Sequence, residues 1–125
     1  MDVVVKLIDV FPDKTKDATM ASYQMLVRGE IMRARYRNSF EKPAPLTIGK
    51  IEKIAFDLPD VAHTFEKGHR IMVQIQSSWF PLAELSPQKY VNVFQATEKD
   101  FQKATIRIFH DATHGSKIIL PVMPK

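Results

Sequence analysis

Gly68-His69-Arg70-Ile71-Met72-Val73-Gln74-Ile75-Gln76-Ser77-Ser78-Trp79-Phe80-Pro81 alternates through its middle, with Ile71, Val73 and Ile75 on one side and Arg70, Met72, Gln74 and Gln76 on the other. A period of two between a glycine and a proline predicts a half-buried strand of an antiparallel sheet. The strand runs out into two hydroxyls, the single tryptophan Trp79, then Phe80 and Pro81. An aromatic loop at a strand end suits a pocket rim or an interface; it equally suits a plug folded back over one end of a sheet.

Upstream, Ile51 to Leu58 alternates again through Ile54, Phe56 and Leu58 and predicts a further strand. Pro59-Asp60-Val61-Ala62-His63-Thr64-Phe65 predicts the turn that leads back through Lys67-Gly68. Val3-Val4-Val5-Lys6-Leu7-Ile8-Asp9-Val10 is nearly continuous apolar sequence and reads as a central strand buried on both faces. It begins without a lead-in, which leads us to expect that earlier strands are missing. Phe11-Pro12-Asp13 breaks it, and Lys14 to Thr19 is a polar loop. Tyr23 to Tyr36 predicts two short strands or one bent one, with Gly29 supplying a bulge or a tight turn. Arg33, Arg35 and Arg37 then share one face of the second half. That arrangement fits a solvated face with arginine stems over apolar surface, or a ladder pairing with carboxylates of another domain. Asn38 to Pro45 is a loop stiffened by Pro43 and Pro45.

Downstream, Ser86-Pro87 and Thr97-Glu98-Lys99-Asp100 resemble helix starts. Val91 to Phe101 otherwise reads as loop with helical pieces. Ala104 to His110 and Ser116 to Val122 predict two last strands, joined by the hairpin loop His110 to Gly115. Seven or so strands with long loops make one all-β sandwich over residues 1–125.

The totals bound the function. A chain of 125 residues with 45% hydrophobic and 26% charged residues is ordinary for one globular domain. No apolar run approaches the roughly 20 residues that span a membrane. No basic-then-apolar leader precedes the first strand, which leaves the compartment open between cytoplasm and periplasm. Zero cysteines exclude disulfides and thiolate metal sites. The net charge of +4 is spread among acidic residues, so no nucleic-acid site is expected.

Chemistry is sparse. His110 and His114 have the i, i+4 spacing of metal ligands, with Asp111 between them, but that spacing needs a helix, and here it falls on a strand end and turn. There is no Gly-x-Ser-x-Gly elbow and no glycine-rich phosphate loop. Ser77 and His69 lie roughly 26 Å apart along one strand, beyond hydrogen-bond reach. Asp57 with Asp60, and Glu98 with Asp100, are acid pairs that nothing singles out. No catalytic residue, cofactor or metal is assigned.

Five phrases in order carry a resemblance. They are Val4 to Val10 with Phe11-Pro12-Asp13, Arg33-Ala34-Arg35-Tyr36-Arg37, Gly68-His69-Arg70, Ser77-Ser78-Trp79-Phe80-Pro81, and Ile118-Ile119-Leu120-Pro121-Val122. Together they resemble the carboxy-terminal domain of the family that groups X-Pro dipeptidyl-peptidases with cocaine esterase-type and glutaryl-7-aminocephalosporanic acid acylase-type serine hydrolases. The resemblance covers essentially the whole chain. It implies a jelly-roll β-sandwich, similar to galactose-binding-like modules, that lacks the catalytic triad. It also implies a parent enzyme whose α/β-hydrolase and cap domains this domain packs against. Ser77, Ser78, Trp79, Phe80 and Pro81 then become a pocket wall or interdomain surface, and Arg33, Arg35 and Arg37 interdomain charge partners. Two departures stand out. Family members carry strands ahead of the segment matching Val3, and acylase-type members read Arg-Asn-Pro-Gln where this chain has Leu85-Ser86-Pro87-Gln88. The rival readings are a free-standing carbohydrate-binding module using Trp79 as a stacking platform, and a small enzyme built on His110, Asp111 and His114. A sandwich with an unpaired edge is also open to pairing with a second copy.

Overall fold

A computed structural model of the chain describes residues 1–124. Its regular structure is all β apart from four single turns of 3-10 helix. Three strands, β1 (Asp2–Val10), β2 (Gln24–Arg33) and β3 (Arg70–Gln76), form one antiparallel sheet in the order β2-β1-β3. The strand expected to be central is central. Val4, Leu7, Ile8 and Val10 of β1 are buried and, with Met32 and Ala34, make up the apolar core. β-branched residues fit a strand flanked on both sides, because their stiff side chains pack well on a pleated surface.

β2 is one bent strand. Its register against β1 shifts between Leu7 and Ile8, where Arg28 pairs with Leu7 but Leu26 with Ile8. The extra residue of this bulge is therefore Val27. Gly29, expected to supply the bulge, lies two residues further on and serves another purpose. A Cβ there would come within 2.6 Å of the Trp79 ring, so glycine is the residue that admits the tryptophan. At the turn before β3, Gly68 takes φ +94°, a left-handed conformation that side chains other than glycine's resist.

Three expectations are corrected. The strand pattern for Arg33, Arg35 and Arg37 ends at Arg33, because Ala34–Tyr36 turns into 3-10 helix and the arginines fan out. Ile51–Leu58, Ala104–His110 and Ser116–Val122 join no ladder among the described residues. The chain does reverse where the hairpin loop was expected, since Ser116 N–H donates to Phe109 O at 3.1 Å. Alternation favours an extended backbone, but a ladder also needs a neighbouring edge in register, and local pattern does not specify that partner. No helix starts at Ser86-Pro87; instead Pro87 is buried and its carbonyl accepts the N–H of Gln102. At Thr97 the expected start is realised as a 3-10 turn, Glu98–Asp100, closed by a capping box between Thr97 and Asp100.

The two faces of the sheet differ from the simplest reading of β3. Ile71, Val73 and Ile75 are exposed, while Met72, Gln74 and Gln76 on the opposite face are partly covered. The cover on that side comes from the loop that follows β3.

Candidate functional site

Ser77 to Leu82 leaves β3 and doubles back across the sheet. Lys6 of β1 and Gly29 of β2 are cross-strand partners, and Gln74 of β3 completes the rung. Over this rung lies Trp79. Its six-membered ring fills the space above Gly29, and the Lys6 ammonium sits 4.3 Å from the ring centroid. An ammonium over an indole face is attracted by the ring quadrupole. Trp79 is thus an anchor. Ala83 N–H donates to Trp79 O at 2.9 Å and closes the loop behind it, around a cis Phe80–Pro81 peptide. Phe80 and Leu82 are each 68% exposed, which makes them the residues the loop presents. Ser77 and Ser78, with Val3, Ile75, Ile106 and Ile108, line an open cleft of about 400 Å³.

The three arginines have separate tasks. Arg33 faces its cross-strand partner, the buried Asp2, at 3.3 Å. Arg35 donates from Nη2 to Val91 O at 2.6 Å and lies over the Tyr90 ring at 4.7 Å, while Tyr90 donates its hydroxyl to Pro43 O. Arg37 donates to the carbonyls of Ala34, Ala44 and Pro45 and approaches Glu52 at 3.5 Å. The fixed fork of guanidinium donors suits this stapling of loop carbonyls.

His110, Asp111 and His114 form an exposed turn in which Asp111 accepts from the backbone N–H groups of Thr113 and His114. Those bonds, the His114 amide first, hold the Asp111 carboxyl below its usual range. Among the described residues no group of three or more His, Cys, Asp or Glu is arranged to hold a metal ion.

Sequence reasoning passed over one cluster. Asp9, 1% exposed, is gripped by two rings, with His63 Nε2 at 2.9 Å from Oδ2 and His69 Nδ1 at 2.9 Å from Oδ1. The signal was present in the chain. An aspartate inside a strand read as buried on both faces must find donors, and His69 stands at the head of the paired strand.

Known proteins give this arrangement its context. The family described as X-Pro dipeptidyl-peptidase C-terminal non-catalytic domain matches residues 1–119. Cocaine esterase from Rhodococcus sp. (strain MB1 Bresler) is 33% identical over 124 residues, which is 99% of this chain and 20% of that protein. Among solved structures, an α-amino acid ester hydrolase is similar with TM-score 0.77 and 48% identity. An aminopeptidase from the marine sediment archaeon Thaumarchaeota archaeon is similar with TM-score 0.77 and 44% identity. Each match covers 81% of this chain and 17% of the other. The chain thus spans about a fifth of the curated relative's length, 20%. The all-β fold, the absence of a nucleophile elbow and a match along nearly the whole chain agree, and the chain belongs to the X-Pro dipeptidyl-peptidase C-terminal non-catalytic domain family.

Proposed function

We propose that this chain is the accessory β-domain of a larger serine hydrolase of the acylase, esterase or dipeptidyl-peptidase type. It packs on the α/β-hydrolase and cap domains of its parent, which also supplies the first strands of the sandwich. The reading is carried by one observation, the aromatic loop after β3. Its root is fixed by Trp79 on Gly29 under Lys6, and its tip offers Phe80 and Leu82. A rigid anchor with exposed apolar residues is how a loop contacts a neighbouring surface at low ordering cost. In the parent, this tip contacts the neighbouring domains and helps wall the acyl pocket beside Ser77, Ser78 and Pro81. Of the three arginines, Arg33 has 26% of its side chain exposed and is the one placed to meet a carboxylate across the interface. Arg35 and Arg37 are engaged by loop carbonyls within the chain.

The test uses the complete enzyme. Replacing Phe80 and Leu82 together by alanine is expected to lower kcat/KM for acyl substrates and the melting temperature of the assembled protein. Unchanged values for both quantities would sink the assignment.

A further inference from the structure

A second cleft lies along β2. Glu30, Ile31 and Met32 border it from the strand, and Ala55, Phe56 and Asp57 from the segment ahead of β3; it is open and holds about 500 Å³. None of residues 77–82 lines it. Side chains along a strand alternate between faces, so three neighbours in a row on one cleft place it at the strand's edge. That edge is the outer one, because β1 pairs along the other and β2 ends the sheet among the described residues. Here the Ile31 N–H donates to Glu30 Oε1 at 2.8 Å.

Aromatic rings and negative charge meet in this cleft. Tyr36 and Phe40, both in its lining, have centroids 6.2 Å apart and ring planes 25° apart, and Phe40 is 77% exposed. Phe56 adds a third ring. Among the described residues neither Glu30 nor Asp57 enters an ion pair. Arg37 also borders the cleft, but its guanidinium is already bound by the carbonyls of Ala34, Ala44 and Pro45 and lies 3.5 Å from Glu52. Its side chain is 7% exposed, so its charge is answered inside the chain. Two carboxylates without a partner beside exposed rings run against the net charge of +4 of the chain as a whole.

A group that complements this surface is cationic, has a flat face for the rings and carries several donors for the carboxylates. A guanidinium has all three properties, whereas a lysine ammonium is a compact point charge. The chain itself sets Arg35 over Tyr90 at 4.7 Å. A strand edge is also where an extended segment lies alongside a sheet. We propose that the cleft at the edge of β2 receives an arginine side chain from an extended segment of the parent chain outside residues 1–125, which rests on the accessory-domain reading above. Chain length is there to supply it, since this chain is 20% of the length of cocaine esterase. The guanidinium stacks on the Tyr36 and Phe40 rings and bonds the Glu30 and Asp57 carboxylates.

Photo-cross-linking in the complete enzyme tests this. With p-benzoylphenylalanine in place of Phe40, irradiation is expected to join position 40 to an arginine-bearing segment of the same molecule, identified by mass spectrometry of the digest. Asp57→Asn, on an exposed residue, is expected to lower the yield of that product roughly threefold, and glutamine in place of the captured arginine to lower it at least as much. A product with a segment that lacks arginine, with a second copy or with another protein overturns the proposal, as does no product at all. Should position 40 not tolerate the probe, Ala55, exposed on the same cleft, takes it and the same outcomes decide. The cross-link reads this cleft alone, so it forms or fails independently of what Phe80 and Leu82 do to kcat/KM.

Discussion

Gly29 and Trp79 show how one missing methyl group can determine the position of a loop. With the Cβ site only 2.6 Å and 2.7 Å from two ring carbons, alanine at 29 must push the indole out or bend β2. Overpacking of this kind costs about 1–3 kcal/mol. Gly29→Ala is therefore expected to lower thermal stability by that amount, and the penalty should largely vanish when Trp79 is also alanine. Denaturant melts of the two single variants and the double variant measure this coupling. Additive effects would show that the ring does not sit over Gly29. The Lys6 ammonium lies over the indole of Trp79, 4.3 Å from its centroid. The ring thus has a partner within the chain, whereas Phe80 and Leu82 of the same loop are exposed.

Among the elements, the 3-10 turn Glu98–Asp100 offers the clearest pH test. Asp100 accepts from Thr97 N–H, from the Lys89 ammonium and from the Thr97 hydroxyl. These bonds, the Thr97 amide first, hold its carboxyl down at about 2 against an ordinary 3.8. A carboxyl depressed in the folded state contributes stability that is complete above its unfolded value and lost as pH falls through the folded one. The capping box is thus expected to persist through pH 4 and to open only as the pH approaches about 2. The Thr97 amide chemical shift follows it directly, and a midpoint near the ordinary aspartate value would rule the capping box out. The same comparison explains why helix starts read from sequence deliver so little here. Thr97 and Asp100 satisfy their own local bonds, but no amphipathic run follows to extend a helix. β2 tells a similar story at its edge. The Glu30 carboxylate accepts the N–H of Ile31 at 2.8 Å, occupying a donor that would otherwise be offered to another strand.

For the whole molecule, the exposed row Ile71, Val73 and Ile75 on β3 is the consequential feature. A strand with that alternation expects an apolar neighbour, and relatives roughly five times longer have the chain length to supply one. Produced alone, the 125-residue chain is expected to self-associate as its concentration rises. Threonine at positions 73 and 75 should suppress that association. Light scattering coupled to size-exclusion chromatography checks both statements, and a monomer at every concentration would contradict the first.

Much of this protein follows from local pattern. Nearly continuous apolar, β-branched sequence placed β1 at the centre and period-two alternation placed β3, because each depends only on neighbours along the chain. The order of five phrases carried the family. The remaining features depended on contacts between distant residues. Whether 51–58, 104–110 and 116–122 join a ladder is set by which edges come within reach, and alternation is silent about that. The arginines shared one face by alternation until a 3-10 turn at Ala34–Tyr36 left Arg33 on Asp2 of β1 and sent Arg35 and Arg37 to loop carbonyls. Asp9 and its histidines are separated by more than fifty positions, so their hydrogen bonds exist only once β1 and β3 lie side by side. Trp79 became an anchor for the same reason: the space it fills is made by Gly29, on a strand that only the folded sheet brings beneath it.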